Sequence, residues 1–245
     1  MKKAIALVLC LALVCALAPA VMAEADLTGT WYIGSATTNG EPIQVVDPEV
    51  ITITLNEDKT YHMAVKMMSL LTQDGTWEAT DTGVTLNPPE GDESATAVTY
   101  AIVDGEMEYM QGNTLLRLSR TPAEAYQLPE IVKAESVGAF NGTWVPKAQL
   151  TFGLLGPLGE GEAMAFSPFR IEDGKLTSIT TEENMSTAYP TEVTLTDGVL
   201  TAADDYSTTA ISLREDGSLF FEYSGLLTFT IVYEKEAAEE AAPAA

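Results

Sequence analysis

The residues to weigh first for chemistry are His62, the single histidine, Cys10 and Cys15, the two cysteines, and the abundant Asp and Glu. His62 stands between Tyr61 and Met63 in a run of strand-forming residues, where an imidazole could act as a general base or hold a metal. It has no second histidine, and both cysteines lie in an N-terminal segment expected to be removed, so the neighbours that zinc or a nucleophile triad needs are missing. A solvent-facing strand position is the reading that remains for His62. Carboxylates are abundant, but no pair is flanked by groups that would raise one pKa and leave the other low, as glycoside hydrolysis requires. Glu172-Asp173 and Asp204-Asp205 suggest calcium, yet neither continues into a spaced acidic loop with a central glycine and a terminal glutamate, and both read as solvated turns. There is no Gly-rich phosphate loop, nucleophile elbow or cofactor fingerprint. These residue types predict a non-enzymatic protein with no cofactor and no metal site.

Charge narrows the partners. With 12 Lys+Arg against 36 Asp+Glu, the chain carries a net charge of −24 at pH 7. Such a surface repels phosphate backbones, so nucleic acid is excluded, and the charge reads first as solubility. Met1-Lys2-Lys3, the apolar stretch Ala4 to Pro19 and the small-residue site Val21-Met22-Ala23 form a signal peptide, with cleavage expected after Ala23. The protein is therefore expected to be secreted or extracytoplasmic, touching a membrane only through that segment if it stays uncleaved. Leu9 and Val14 precede the two cysteines, where lipid attachment needs a small residue. The mature chain would contain no disulfide, and its stability must come from a packed core.

The rest of the chain reads as two copies of one β domain. Gly29-Thr30-Trp31 recurs as Gly142-Thr143-Trp144, and short apolar or β-branched runs follow each copy in a similar order. Turn signals separate them: Asp104-Gly105 in the first copy, and Asp173-Gly174, Asp197-Gly198 and Asp216-Gly217 in the second. The expected organisation is a first domain over 24–120, a linker over 121–138, a second domain over 139–235 and a disordered Ala/Glu tail over 236–245. Thr121-Pro122-Ala123-Glu124 predicts a short helix in the linker. The predicted class is all-β, with two tandem small antiparallel up-and-down barrels, a β-sandwich being the alternative.

A strand-opening Gly-x-Trp, about eight hairpin-connected strands and a basic residue in or after the last strand resemble the lipocalin superfamily, and in particular the short bacterial lipocalin-like domains. In that family the tryptophan plugs the closed end of the barrel and a basic side chain stacks over its ring. The resemblance implies that Trp31 plugs the first barrel under Arg120 or Arg117, and that Trp144 plugs the second with Lys235 in place of an arginine. Each copy is short for the family, so any lumen would be small. Two apolar segments fall where hairpin loops or barrel mouths would be: Met67-Met68-Ser69-Leu70-Leu71, and Leu150 to Gly159 with Phe152, Leu154 and Leu155. They pack against the other domain, or they form a ligand portal or partner surface. Tyr61, Trp77, Tyr100 and Tyr109 are candidate cavity-lining residues with polar tips. The expected function is binding of a small apolar or amphipathic ligand. The rival is a surface module with solidly packed barrels that docks a protein or cell-envelope component.

Overall fold

The computed structural model describes residues 27–66, 70–91, 96–158, 166–179, 191–203, 207–225 and 228–237. The expected signal segment and nearly all of the expected tail lie outside these residues. In chain order the first half forms β1 (Gly29–Thr38), β2 (Glu41–Pro42), β3 (Gln44–Val45), β4 (Ile51–Leu55), β5 (Thr60–Lys66), β6 (Leu70–Ala79), β7 (Gly83–Asn87), β8 (Val98–Val103), β9 (Glu106–Gln111) and β10 (Thr114–Ser119). Strands β4 to β10 pair sequentially and antiparallel, and β1 pairs with both β4 and β10. That double pairing closes an eight-stranded ring and rules out the open edges of a sandwich for this half.

Strand periodicity fills the ring. Ile53 and Leu55 on β4 point inward beside Trp31 and Tyr61, while Thr54 on the other face shares a hydroxyl contact with Thr30 at 3.0 Å. A two-residue type I′ hairpin needs positive φ at both central positions, which Asp104 (φ 51°) and Gly105 (φ 85°) supply between β8 and β9.

The base of the barrel is built around Trp31, whose ring is fully buried. Its indole Nε1 donates to the Leu27 carbonyl at 3.1 Å, so the one polar atom of the ring is satisfied inside the core. The Arg120 guanidinium lies 4.0 Å from the ring centroid. Gly29 has φ 107°, and a Cβ there would stand 2.6 Å from Arg120 Nη1, which explains a glycine two residues before the tryptophan. Arg117 does not share this role: it pairs with Glu108 at 2.7 Å, because alternation along β10 turns it to the outer face.

The second half repeats the plan with β11 (Gly142–Thr151), β12 (Leu154–Pro157), β13 (Phe169–Glu172), β14 (Lys175–Ser178), β15 (Thr191–Glu192), β16 (Thr194–Thr196), β17 (Val199–Ala203), β18 (Thr208–Leu213), β19 (Leu219–Ser224) and β20 (Thr228–Lys235). Here β15 and β16 are one extended segment interrupted at Val193; β15 pairs with β14 and β16 pairs with β17, so the ring closes or nearly closes through this split strand. Trp144 is buried, donates from Nε1 to the Phe140 carbonyl at 2.9 Å, and has Lys235 Nζ 5.7 Å from its ring. Gly142 again sits at positive φ under the cation's side chain, where a Cβ would meet Lys235 Cε at 2.5 Å.

The linker holds no helix at Thr121 to Glu124. The Ala123 and Tyr126 amides donate to the Ile33 and Val45 carbonyls of the first barrel, which draws the chain out along the wall instead of letting it coil. Farther on, Val132 donates to Leu213 and Glu215 to Glu130, tying the same linker to the second barrel. One 3-10 turn, Val137–Phe140, then delivers Phe140 beneath Trp144.

The two arginines of β10 and its end separate the plug from its surroundings. Arg120→Ala should lower unfolding stability by about 1 kcal/mol through loss of the cation–π contact, and Arg117→Ala by clearly less, because its ion pair stands in solvent. Urea melts of the two variants check this; equal losses would show that Arg120 is not the plug's cover.

Candidate functional site

The end of the first barrel opposite Trp31 is its mouth. Register defines two rows of inward-facing side chains there. Across β1, β10 and β9 the row is Thr38, Thr114 and Gln111, directly below which lie Ala36, Leu116 and Tyr109. Across β4, β5 and β6 it is Ile51, Val65 and Leu71. One side of the mouth is therefore hydroxyl and amide, and the other is aliphatic, with Leu71 52% exposed. The Thr38 and Thr114 hydroxyls are 3.0 Å apart and fix the polar row.

A cleft of about 860 Å³ occupies this mouth, with Thr38, Ile51, Gln111, Thr114 and Leu116 among its walls. That volume lies in the range of small-molecule sites. Asn39, Ile43 and the Gly112-Asn113 turn continue that wall, and the second domain supplies the opposite one: its β11–β12 hairpin contributes Gln149, Thr151, Phe152 and Leu154. The hairpin is held in place by main-chain pairing of β12 with β3, Leu154 opposite Val45 and Leu155 opposite Gln44, and by Val46 and Asp47 amides donating to the Gly153 carbonyl at 2.7 and 3.1 Å. Leu154 also packs against the core of the first barrel. Close approach requires the glycines of this hairpin: a Cβ on Gly153 would lie 2.9 Å from Asp47 Cβ, and one on Gly156 2.9 Å from Ile43 Cγ2.

Phe152 occupies the first position of the hairpin turn with φ 49°. Among the described residues, the other side-chain-bearing residues at positive φ are Asn39, Lys59, Asp104, Asp173 and Asp197, so Phe152 is the one large apolar group held there. The left-handed region disfavours such a residue, and strain of this kind collects at functional positions. The ring is 45% exposed and borders the cleft.

Of the ten residues the sequence suggested for ligand binding, Phe152 and Leu154 line this cleft. Leu155 instead serves the β12–β3 pairing. Tyr61, Trp77 and Tyr100 belong to the packed core, at 2%, 2% and 6% exposure, because long aromatic side chains on neighbouring strands meet across a narrow ring and fill it. Trp77 lies toward the base, its Nε1 donating to Asn56 and Lys59 Nζ 3.9 Å above its ring. Tyr109 is half-buried, 5.4 Å from Tyr100 between centroids, and forms the layer beneath Gln111. Met67 and Met68 lie outside the described residues; Leu70 begins β6 and is not loop, as strand pairing with Lys66 extends to it. Sequence reasoning missed the polar row. The available signal was in-phase spacing: Gln111 lies four positions after Met107 on β9, and Thr114 four before Leu118 on β10.

The residues weighed for chemistry sit elsewhere. His62 is exposed on the outer wall, opposite Asp74, with Nδ1 2.7 Å from its carboxylate. Glu172 and Asp173 enter a hairpin turn in which Asp173 takes φ 48°, while Asp204 and Asp205 are outside the described residues. Among the described residues no group of three or more His, Cys, Asp or Glu could hold a metal ion, and no helix is long and apolar enough to cross a membrane.

A closed antiparallel barrel with a cation-capped tryptophan at its base and a cleft at its mouth defines a lipocalin-like fold. Residues 27–109, from the strand-opening segment through Tyr109 of β9, match the lipocalin-like domain family, to which the first barrel is similar. No curated protein matches the chain. Among solved structures, a protein of unknown function from the DUF3598 family of Nostoc punctiforme PCC 73102 aligns at 10% identity over 86% of this chain and 97% of its own, with a TM-score of 0.24, which supports no inference about this chain.

Two outcomes follow from this geometry. Burial, aided by the Tyr109 and Tyr61 hydroxyls, pushes the Tyr100 phenol up to about 12. The folded state disfavours the phenolate, so this group's contribution is complete below the ordinary phenol range near 10 and is lost as pH rises from about 10 through about 12. Tyr100→Phe should therefore flatten the alkaline fall in stability, read from urea melts at stepped pH; an unchanged slope would show that Tyr100 is not the buried titrating phenol. Phe152→Gly should leave stability within about 1 kcal/mol of the parent, since relief of left-handed strain opposes the added freedom of glycine in the unfolded chain. A loss well beyond that in the same melts would make the ring a packing anchor of the two domains.

Proposed function

We propose that this protein is an exported, non-enzymatic binding protein that takes a small amphipathic molecule at the mouth of its first barrel. The observation that carries this reading is the mouth itself: a cleft of about 860 Å³ in which hydroxyl and amide side chains meet the aliphatic groups Ile43, Ile51, Leu116 and Leu154, under a strained aromatic side chain from the second domain. A pocket that is mostly apolar with a few convergent polar groups is the usual form of a small-molecule site. The lipocalin-like domains are generally binding folds, and the acidic, thiol-free mature sequence suits life outside the cell.

The packed base of the barrel favours a second reading, in which both barrels are solid scaffolds and the protein docks a macromolecular partner. The core from Trp31 through Tyr100 leaves ligand room only near the mouth. One measurement separates the two. Native mass spectrometry of the protein purified from its producing cells should give a chain beginning at Glu24 together with a discrete extra mass that organic extraction removes. In Leu116→Trp, which fills the cleft floor, that extra mass should be absent. A bare chain in the parent would turn the balance to the docking module, and a mass retaining Met1 would sink the export proposal.

A further inference from the structure

Among the described residues that line the cleft there is no Asp, Glu, Lys, Arg or His, although acids and bases make up 20% of the chain. The polar groups present are hydroxyls and carboxamides: Thr38, Asn39, Gln111, Asn113 and Thr114 from the first domain, and Gln149 and Thr151 from the second. Gln149 Nε2 donates to Thr151 Oγ1, so each domain brings its own pre-set polar pair to the cleft, the other being Thr38 with Thr114.

We infer, resting on the binding reading above, that the cleft selects an uncharged, hydrogen-bonding head group on an aliphatic tail. Hydroxyls and amides both donate and accept, which suits a head group of the same kind, whether polyol or amide. The tail has Ile43, Ile51, Leu116 and Leu154 and the Phe152 ring to lie against. A carboxylate or phosphate head group would lose its hydration without meeting a cation, and it would approach a protein of net charge −24. An ammonium is drawn toward the protein by the same field, but it too would be desolvated without a counter-ion in the walls. The neutral lining thus discriminates by the cost of stripping water from a charge, not by any single repulsive contact.

Calorimetric titration of the full-length protein with four probes of equal chain length, each below its micellar concentration at pH 7, tests this: octyl glucoside, octanamide, octanoate and octylammonium. The neutral pair should bind at least about tenfold tighter than either ion, and whichever of glucoside and amide binds better names the head-group source. Gln111→Lys, at an exposed rim position that leaves the core untouched, should raise octanoate affinity about tenfold by supplying the missing cation. Octanoate or octylammonium binding as tightly as the neutral probes in the parent overturns the inference while the binding reading stands. If no probe binds, the inference falls; the extractable mass described above then decides whether the binding reading falls with it.

Discussion

A tryptophan ring buried at the base of a small barrel sets how the rest of each domain can be arranged. Trp31 must hide a large apolar surface and still satisfy one N–H, and it does both by hydrogen bonding four residues back to Leu27. That bond fixes the segment that enters β1, and the Arg120 guanidinium above the ring fixes the segment that leaves β10. The two ends of the ring of strands are therefore clamped to one side chain. Closure by β1–β10 pairing then follows from proximity. Glycine at 29 and 142 is the backbone corollary: each lies directly under the covering cation, at a φ that side-chain-bearing residues avoid.

With the base filled, the lower interior is committed to packing. Eight strands enclose little more space than their inward side chains occupy, and Trp77, Tyr61, Tyr100 and Met107 use it up. Room for a guest remains only where the inward rows become short or polar, at the mouth. There the second domain intervenes. Main-chain bonds between β12 and β3 give the roof a fixed register relative to the rim, so the cleft is a property of the tandem and not of either barrel alone.

Much of the plan is legible in the sequence for a physical reason. Gly-Thr-Trp marks the plug because the glycine, the ring and the cation constrain one another locally, and Asp-Gly marks the hairpins because few residues tolerate positive φ. The cleft is harder to read. In β1, inward positions at Trp31 and Ile33 predict Ser35 and Thr37 as the next inward residues, but a register shift at Gly34 moves Ala36 and Thr38 inward instead. Glycine is needed at that shift because a Cβ would stand 2.7 Å from Ser119 Oγ. Gln111 borders a Gly-Asn turn just past the expected strand end at Met110, and Thr114 opens the next strand as a small polar residue, so neither marks a cavity, although strand phase carries both into the mouth. The contact of Leu154 with the first barrel joins positions far apart in sequence and has no local signature. The aromatic residues fail as lumen markers for the opposite reason: their size makes them fill a narrow ring instead of lining it.

The two copies differ most tellingly at one equivalent turn. Each domain opens with a ten-residue strand, turns through two residues at positive φ, and returns as a short strand: Asn39-Gly40 (φ 54° and 83°) in the first domain, Phe152-Gly153 (φ 49° and 66°) in the second. Asparagine is a natural occupant of the first turn position, since its short polar side chain tolerates the left-handed region. Phenylalanine is not, and nothing in the hairpin's own geometry calls for it. Its ring reaches the mouth of the other barrel, while Asn39 sits on the polar rim of the same cleft. Both turns thus converge on one site, one supplying an amide and the other an aromatic face. A duplicated turn whose second copy has exchanged local comfort for an apolar surface facing a cleft is a change that folding alone does not favour. Occupancy of that cleft, as proposed above, would give it a physical reason.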